Sequence, residues 1–386
     1  MIATILTPRL ILIGGGAIAQ AADALAQIGG TRPLIVTDKF MEKSGKLSAL
    51  TDVLDKASVA WAAFSDTVED PTTDIIDAGV ARLRSGAYDS LIALGGGSPI
   101  DTAKAISVLA ANGGRMRDYK VPNPIPKLGL PLLAIPTTAG TGSEVTKFTI
   151  ITDTATDEKM LISGLACLPA AAIVDYELTL TKPFRLTADT AIDSLTHAIE
   201  AYVSRKANLH SDGLGLNAMR LIYRHIRDVC AEPDNRAARE AMMLGAHQAG
   251  MAFSNASVAL VHGMSRPIGA HFHVPHGLSN AMLLPAITAF SANAALNRYA
   301  DCARAMGLCD DKVGDQAAVA MLLEALRRLN ADLKVPTPKA YGIDEKKYFE
   351  LMPRMAEQAL ASGSPNNNPR IPTAAEIVEL YREVWA

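Results

Sequence analysis

The chain is poor in the features that would take it out of the ordinary globular proteins. Only four of its 386 residues are cysteine. Cys167, Cys230, Cys302 and Cys309 are too few and too irregularly placed for a disulfide framework in a chain this long, so they read as reduced thiols of a cytoplasmic protein. Charge of neither sign dominates: 37 Lys and Arg stand against 40 Asp and Glu. With no run of basic residues, nucleic acid and anionic membranes are not expected partners. No window reaches the roughly eighteen uninterrupted apolar residues of a spanning helix. The start, MIATILTPRLILIGGG, lacks a basic lead and reaches Gly14 too soon for a signal peptide, so it reads as a first strand. Internal repeats and low-complexity linkers are also missing. What remains is 49% hydrophobic and 20% charged, enough chain for a large core or two domains.

The first half alternates short apolar runs with helical stretches, the pattern of a parallel α/β sheet. Strands are expected at Leu10–Ile13, Leu34–Thr37, Trp61–Phe64, Leu91–Leu94 and Leu132–Ile135. Gly14, Gly16 and Ala19 fit GxGxxA and Asp38 follows at the distance where a carboxylate holds a ribose diol, although a plain glycine turn explains the same residues. A stronger phosphate seat is Gly95-Gly96-Gly97-Ser98-Pro99-Ile100-Asp101 after the fourth strand. Ser98 as N-cap and Pro99 at the first helical position would open a helix whose free N–H groups and dipole face an anion. The loop Pro136–Glu144 is rich in hydroxyls and glycine and suits a nucleotide as well.

Beyond Pro183 the strand signals stop and helical periodicity runs to Ala386, which divides the chain into an α/β domain over 1–183 and an all-helical domain over 184–386. In the second, Thr187 reads as a helix cap. Asp193 and His197 lie four apart, on one face of that helix, where a carboxylate and an imidazole can share one ion. His262 precedes a glycine and His276 stands between Pro275 and Gly277, so each has a neighbour that lets the backbone bend or approach closely. One carboxylate with imidazoles and no nearby thiolate suits Fe(II), Zn(II) or Mn(II) rather than Ca(II). His271 and His273 read as polar loop residues or as further ligands.

The ordered blocks GGGSPID, PTTAGTGSEVT, IDSLTHAIEAYVS, VHGMSRPIG and PHGLSNAMLLP, which span nearly the whole chain, resemble the iron-dependent (group III) alcohol dehydrogenases. The resemblance implies a dehydroquinate synthase-like architecture: an NAD-binding parallel α/β domain followed by a helical metal-binding domain. It implies that Asp193, His197, His262 and His276 bind a divalent metal, Fe(II) first and Zn(II) as the alternative. It also places the pyrophosphate at Gly95, Gly96, Gly97, Ser98 and Pro99 rather than at Gly14–Gly16. Thr137, Thr138, Thr141, Ser143 and Lys159 fall near the cofactor by the same resemblance, and Asp38 favours NAD over NADP. The assembly it suggests is a homodimer or larger, with the first strand as a contact edge.

The chemistry then expected is hydride transfer between NAD(H) and a small primary alcohol or aldehyde, the metal acidifying the hydroxyl. The alternatives on the same scaffold are a hydroxyacid–oxoacid transhydrogenase, a non-redox metal lyase, or a catalytically silent binding protein. Two departures from the family pattern bear on the site. Arg266 stands where many relatives have a second histidine, proposed there as a proton relay, and an arginine cannot relay protons. It either contacts an acidic group on the substrate or forms a salt bridge behind the site. Asp70 stands in the neighbourhood of an asparagine common in relatives, exchanging an amide for a carboxylate.

Overall fold

The computed structural model describes Ile2–Ala386 and divides into two compact units, Thr4–Thr181 and Lys182–Ala386, the second also taking in Ile2 and Ala3. The first unit is built on strands β1 (Leu10–Ile13), β2 (Pro33–Val36), β3 (Ala62–Phe64), β4 (Ser90–Gly95) and β5 (Leu132–Pro136), then an antiparallel hairpin of β6 (Phe148–Asp153) and β7 (Glu158–Ser163), and finally β8 (Ala171–Val174). Six of them form a parallel sheet in the order β1-β8-β5-β4-β2-β3. β2, β4, β5 and β8 are buried at every residue, as parallel strands covered on both faces must be, and their sequences are accordingly continuous apolar runs rather than alternations.

Register decides what the sheet can hold. Val36 pairs with Ala93, and Gly95 pairs with Pro136, so Asp38, Gly96 and Thr137 leave side by side from the carboxyl ends of three neighbouring strands. That edge is where open parallel sheets bind ligands. Neither β8 nor the hairpin was expected from the sequence.

The second unit contains no strand among its described residues. Its central helix, Phe184–Val203, is buried at every position from Ala191 to Val203, as a helix surrounded by other helices must be. It starts three residues before Thr187, with Pro183 as N-cap. Thr187 is therefore no cap; its hydroxyl accepts from Arg239 Nη1 at 3.2 Å. No described helix is long and apolar enough to cross a membrane, and all four cysteines are free.

Asp89 pins the turn before β2. Its carboxylate accepts from the N–H groups of Thr31 and Arg32 at 3.0 and 2.9 Å and from the Ser90 hydroxyl at 2.7 Å. Partial burial works against its charge, but the hydrogen bonds from Thr31, Arg32 and Ser90 outweigh it and hold the carboxyl at about 2. A lowered folded-state pKa stabilises fully above the ordinary carboxylate range and is lost as pH falls through the folded value. Asp89→Ala should therefore lower the urea midpoint clearly at about pH 6 and only about half as much at about pH 3. An equal loss at both pH values would contradict this assignment.

Candidate functional site

The sheet offers two glycine turns at which an anion could sit, and the structure fills one of them itself. At Gly14–Gly16 the Asp175 carboxylate accepts from Gly16 N and Ile18 N, both at 3.1 Å, and from Glu177 N at 3.0 Å. A Cβ on Gly15 would lie 2.7 Å from the Tyr176 ring. The GxGxxA stretch is thus closed by the protein's own carboxylate and is not a phosphate loop.

The other turn is open. Gly95 takes φ 151°, which permits the tight exit from β4, and the helix Gly97–Asn112 begins with Gly96 as N-cap and no side-chain cap. The helix opens earlier than the sequence suggested, so Ser98 and Pro99 occupy its second and third positions instead of the cap and the first. Proline is still tolerated there, because first-turn N–H groups have no intrahelical acceptor. The uncapped N–H groups of Gly97 and Ser98 and the helix dipole make an anion seat. Thr138 and Thr141 form its wall: a Cβ on Gly96 would meet Thr138 at 3.6 Å and one on Gly97 would meet Thr141 at 3.0 Å.

The remaining nucleotide-side residues divide by what they touch. Asp38 is half-buried; one carboxylate oxygen caps the helix Lys39–Lys43 by accepting from Met41 N at 2.9 Å, and the other carries no hydrogen bond among the described residues. Thr137 is fully buried and ties its loop to β4 by donating its N–H to Gly95 O at 2.8 Å. The Ser143 hydroxyl is already engaged, donating to Asp101 Oδ1 at 2.5 Å and accepting from Lys104 Nζ at 3.0 Å. Lys104 also donates to Thr146 O and Phe148 O at 3.0 and 2.8 Å, and Asp101 accepts from Ile150 N at 2.9 Å. This buried pair therefore stitches the hydroxyl-rich loop and the hairpin to the glycine-turn helix. Burial pushes the Lys104 amine down and the Asp101 carboxyl up. Lys159, on β7, pairs with Asp70 at 2.8 Å, and Asp70 holds the left-handed conformation at φ 52°.

In the helical unit, the imidazoles converge on one oxygen. Asp193 Oδ1 lies 3.5 Å from His262 Nε2, 3.7 Å from His276 Nε2 and 3.8 Å from His197 Nε2. Asp193, His262 and His276 form a group able to hold a metal ion. His197 stands outside that triad and stacks between Phe253 and His262, with ring centroids 4.2 and 4.5 Å away. Burial alone would raise the Asp193 carboxyl, but the surrounding His197, His276 and His262 hold it well below the usual carboxylate range.

His262 lies in the first turn of the helix Leu260–Phe272, and His276 opens the helix His276–Ala292. The second helix reaches Asp193 because residue 277 is glycine: a Cβ there would stand 2.4 Å from Asp189 O. His271 and His273 stay out of the site. His271 Nε2 meets Gln358 Oε1 at 2.8 Å, and His273 closes its helix at φ 54°.

Two residues of this site went unseen in the sequence. Glu200, one helical turn beyond His197 on the central helix, meets His262 Nδ1 at 2.6 Å and accepts from Ala259 N and Val261 N at 2.9 and 2.6 Å. It caps the helix that carries His262 and fixes the ring so that Nε2 faces Asp193. The signal for it was a glutamate three residues after a candidate ligand on an otherwise buried face. Asn280, one turn after His276, donates to Asp193 Oδ1 at 2.7 Å. Arg266 follows His262 by one turn; its Nη1 donates to Ser364 Oγ at 3.2 Å and its buried Nε has no partner.

One carboxylate and two imidazoles, with a third imidazole beside them and no thiolate, suit a first-row divalent ion. The open glycine turn suits a pyrophosphate. Residues 8–176 match the family described as iron-containing alcohol dehydrogenase, and residues 187–385 match the Fe-containing alcohol dehydrogenase family, C-terminal. The chain belongs to the iron-containing alcohol dehydrogenases, NAD-dependent oxidoreductases of alcohols and aldehydes. It is 37% identical to lactaldehyde reductase of Escherichia coli (strain K12) over 374 residues, covering 96% of this chain and 97% of the relative. It is 36% identical to the NAD-dependent methanol dehydrogenase of Bacillus methanolicus over 376 residues, covering 97% and 98%. A solved 1,3-propanediol oxidoreductase superposes with a TM-score of 0.96 at 34% identity over the whole of both chains. None of these comparisons supports a transhydrogenase or a lyase.

Removing the negative charge behind His262 should loosen the metal site and spare the nucleotide site. Glu200→Gln is expected to weaken divalent-metal affinity by about 10- to 100-fold with NAD affinity unchanged, both read by calorimetry. Unchanged metal affinity would show that Glu200 serves the fold alone.

Proposed function

We propose that the chain oxidises small primary alcohols, and reduces the corresponding aldehydes, with a divalent metal held by Asp193, His197, His262 and His276. Fe(II) is the first choice and Zn(II) the alternative. The observation carrying this reading is the approach of three Nε2 atoms to within 3.5–3.8 Å of one buried carboxylate oxygen. Such crowding of lone pairs is costly unless a cation or protons lie among them. The donor set fits the metal, and the uncapped N–H groups beside Gly95, Gly96, Gly97, Ser98 and Pro99 fit a pyrophosphate. When bound, the metal acidifies the alcohol and NAD accepts its hydride.

The chain's own residues do the positioning. The free oxygen of Asp38 accepts from a ribose diol and repels a 2′-phosphate, which selects NAD over NADP. Thr138 and Thr141 line the phosphate seat, while Thr137, Ser143 and Lys159 hold the loop and the hairpin in place. Glu200 keeps the His262 Nε2 lone pair aimed at Asp193. A homodimer or larger assembly belongs to the same reading, because β1 is an edge strand with Ile13 exposed. A cytoplasmic location accords with the four free thiols.

Protein stripped of metal and reloaded anaerobically with Fe(II) or Zn(II) should form NADH with short alcohols or diols. His262→Ala should abolish this while leaving NAD binding intact. Tight binding of NAD and metal with no turnover on any alcohol would sink the dehydrogenase reading.

An acidic group on the substrate is a second reading, favoured by Arg266. Its buried Nε has no partner, and among the described residues no carboxylate comes within ion-pair distance of the guanidinium. Burial lowers its pKa and the more distant charge of Glu200 opposes this. A carboxylate on the substrate would supply the bidentate partner that the protein omits. Arg266→Ala should then reduce kcat/KM for a hydroxy acid at least about tenfold more than for a neutral alcohol of equal length, a difference of about 1.4 kcal/mol. Equal losses on both would exclude the acid reading.

A further inference from the structure

We infer that Asn280 is a positioning residue of the metal centre that selects the ion as well as ordering its ligands. The inference rests on the proposed assignment of Asp193, His262 and His276 as ligands. Asn280 is fully buried, one turn after His276 on the same helix face. Its Nδ2 lies 2.7 Å from Asp193 Oδ1, 3.2 Å from His262 Nε2 and 3.2 Å from His276 Nε2. One amide nitrogen with two hydrogens thus faces a carboxylate oxygen and two ring nitrogens. The carbonyl at the other end, Oδ1, is buried with no partner at all.

Buried polar atoms are ordinarily satisfied, and an amide can be reversed by a half-turn about its last side-chain bond. The arrangement makes sense as one of two states. Without an ion, the NH2 group sits among the carboxylate oxygen and the two ring nitrogens. A divalent cation held by the same atoms would repel the NH2 group and attract the carbonyl, so that turning the amide would offer Oδ1 to the ion. A neutral oxygen added to one carboxylate and imidazoles favours ions that accept more than four donors, such as Fe(II) or Co(II), over Zn(II), which prefers four.

The test uses full-length, metal-stripped protein, with Co(II) as the spectroscopic probe and Zn(II) as the competitor. In Asn280→Leu, close in volume but without the amide, Co(II) affinity should fall about 10- to 100-fold and Zn(II) affinity distinctly less. The visible Co(II) band should also intensify as the donor number drops. Asn280→Asp keeps the shape and an oxygen donor, and should retain Co(II) binding; it also stands in if the leucine variant fails to fold. NAD affinity reports on the fold of every variant. Unchanged Co(II) and Zn(II) affinities with an unchanged spectrum in Asn280→Leu would overturn the inference, as would an aspartate variant that binds no Co(II) while still binding NAD. A parent chain that binds no Co(II) would instead overturn the ligand assignment on which it rests.

Discussion

The helical unit is organised around the buried carboxylate of Asp193. Asp193 sits on a helix enclosed on every side, where an ionised carboxylate is tolerated only if other groups compensate it. Three imidazoles do so, and each is brought there by a different local device. His197 comes by helical spacing. His262 comes through Glu200, which anchors both its ring and the start of its helix. His276 comes because Gly277 lets a helix N-terminus approach Asp189 O. The geometry that keeps the charge stable is the geometry that gathers donor atoms around one point.

The α/β unit makes the complementary arrangement for an anion, and does so by contrast. Two strand–glycine–helix turns present N–H groups at the same edge of one sheet. Asp175 fills the first from within the chain, which makes it part of the scaffold. The second has no side-chain cap, and the register places Asp38 and the hydroxyl-rich loop on either side of it. Which turn is left open to an anion is therefore decided by the presence of a competing carboxylate, not by the glycine pattern.

Much of this was legible from residue order. Helical spacing gave the Asp193–His197 face, and continuous apolar runs gave five of the six sheet strands. The alternation of strand and helix up to Pro183 gave the architecture. What escaped was non-local. Asp175 lies far from Gly16 in the chain, and Glu200 far from His262, so no local pattern announces either contact. The β6–β7 hairpin lacks a clean period-two alternation in its sequence, and β8 is too short and alanine-rich to stand out. Ser98 and Pro99 resembled a cap and a first helical residue because both prefer those places. The tight exit at Gly95 instead starts the helix before them.

The most direct test of this account is an anomalous-difference map from crystals of the protein grown with Fe(II), measured on both sides of the iron edge. One peak within bonding reach of Asp193 and of the Nε2 atoms of His197, His262 and His276 is the predicted result. A peak that excludes His197 or lies away from Asp193, or no peak in protein that retains iron in solution, would contradict it.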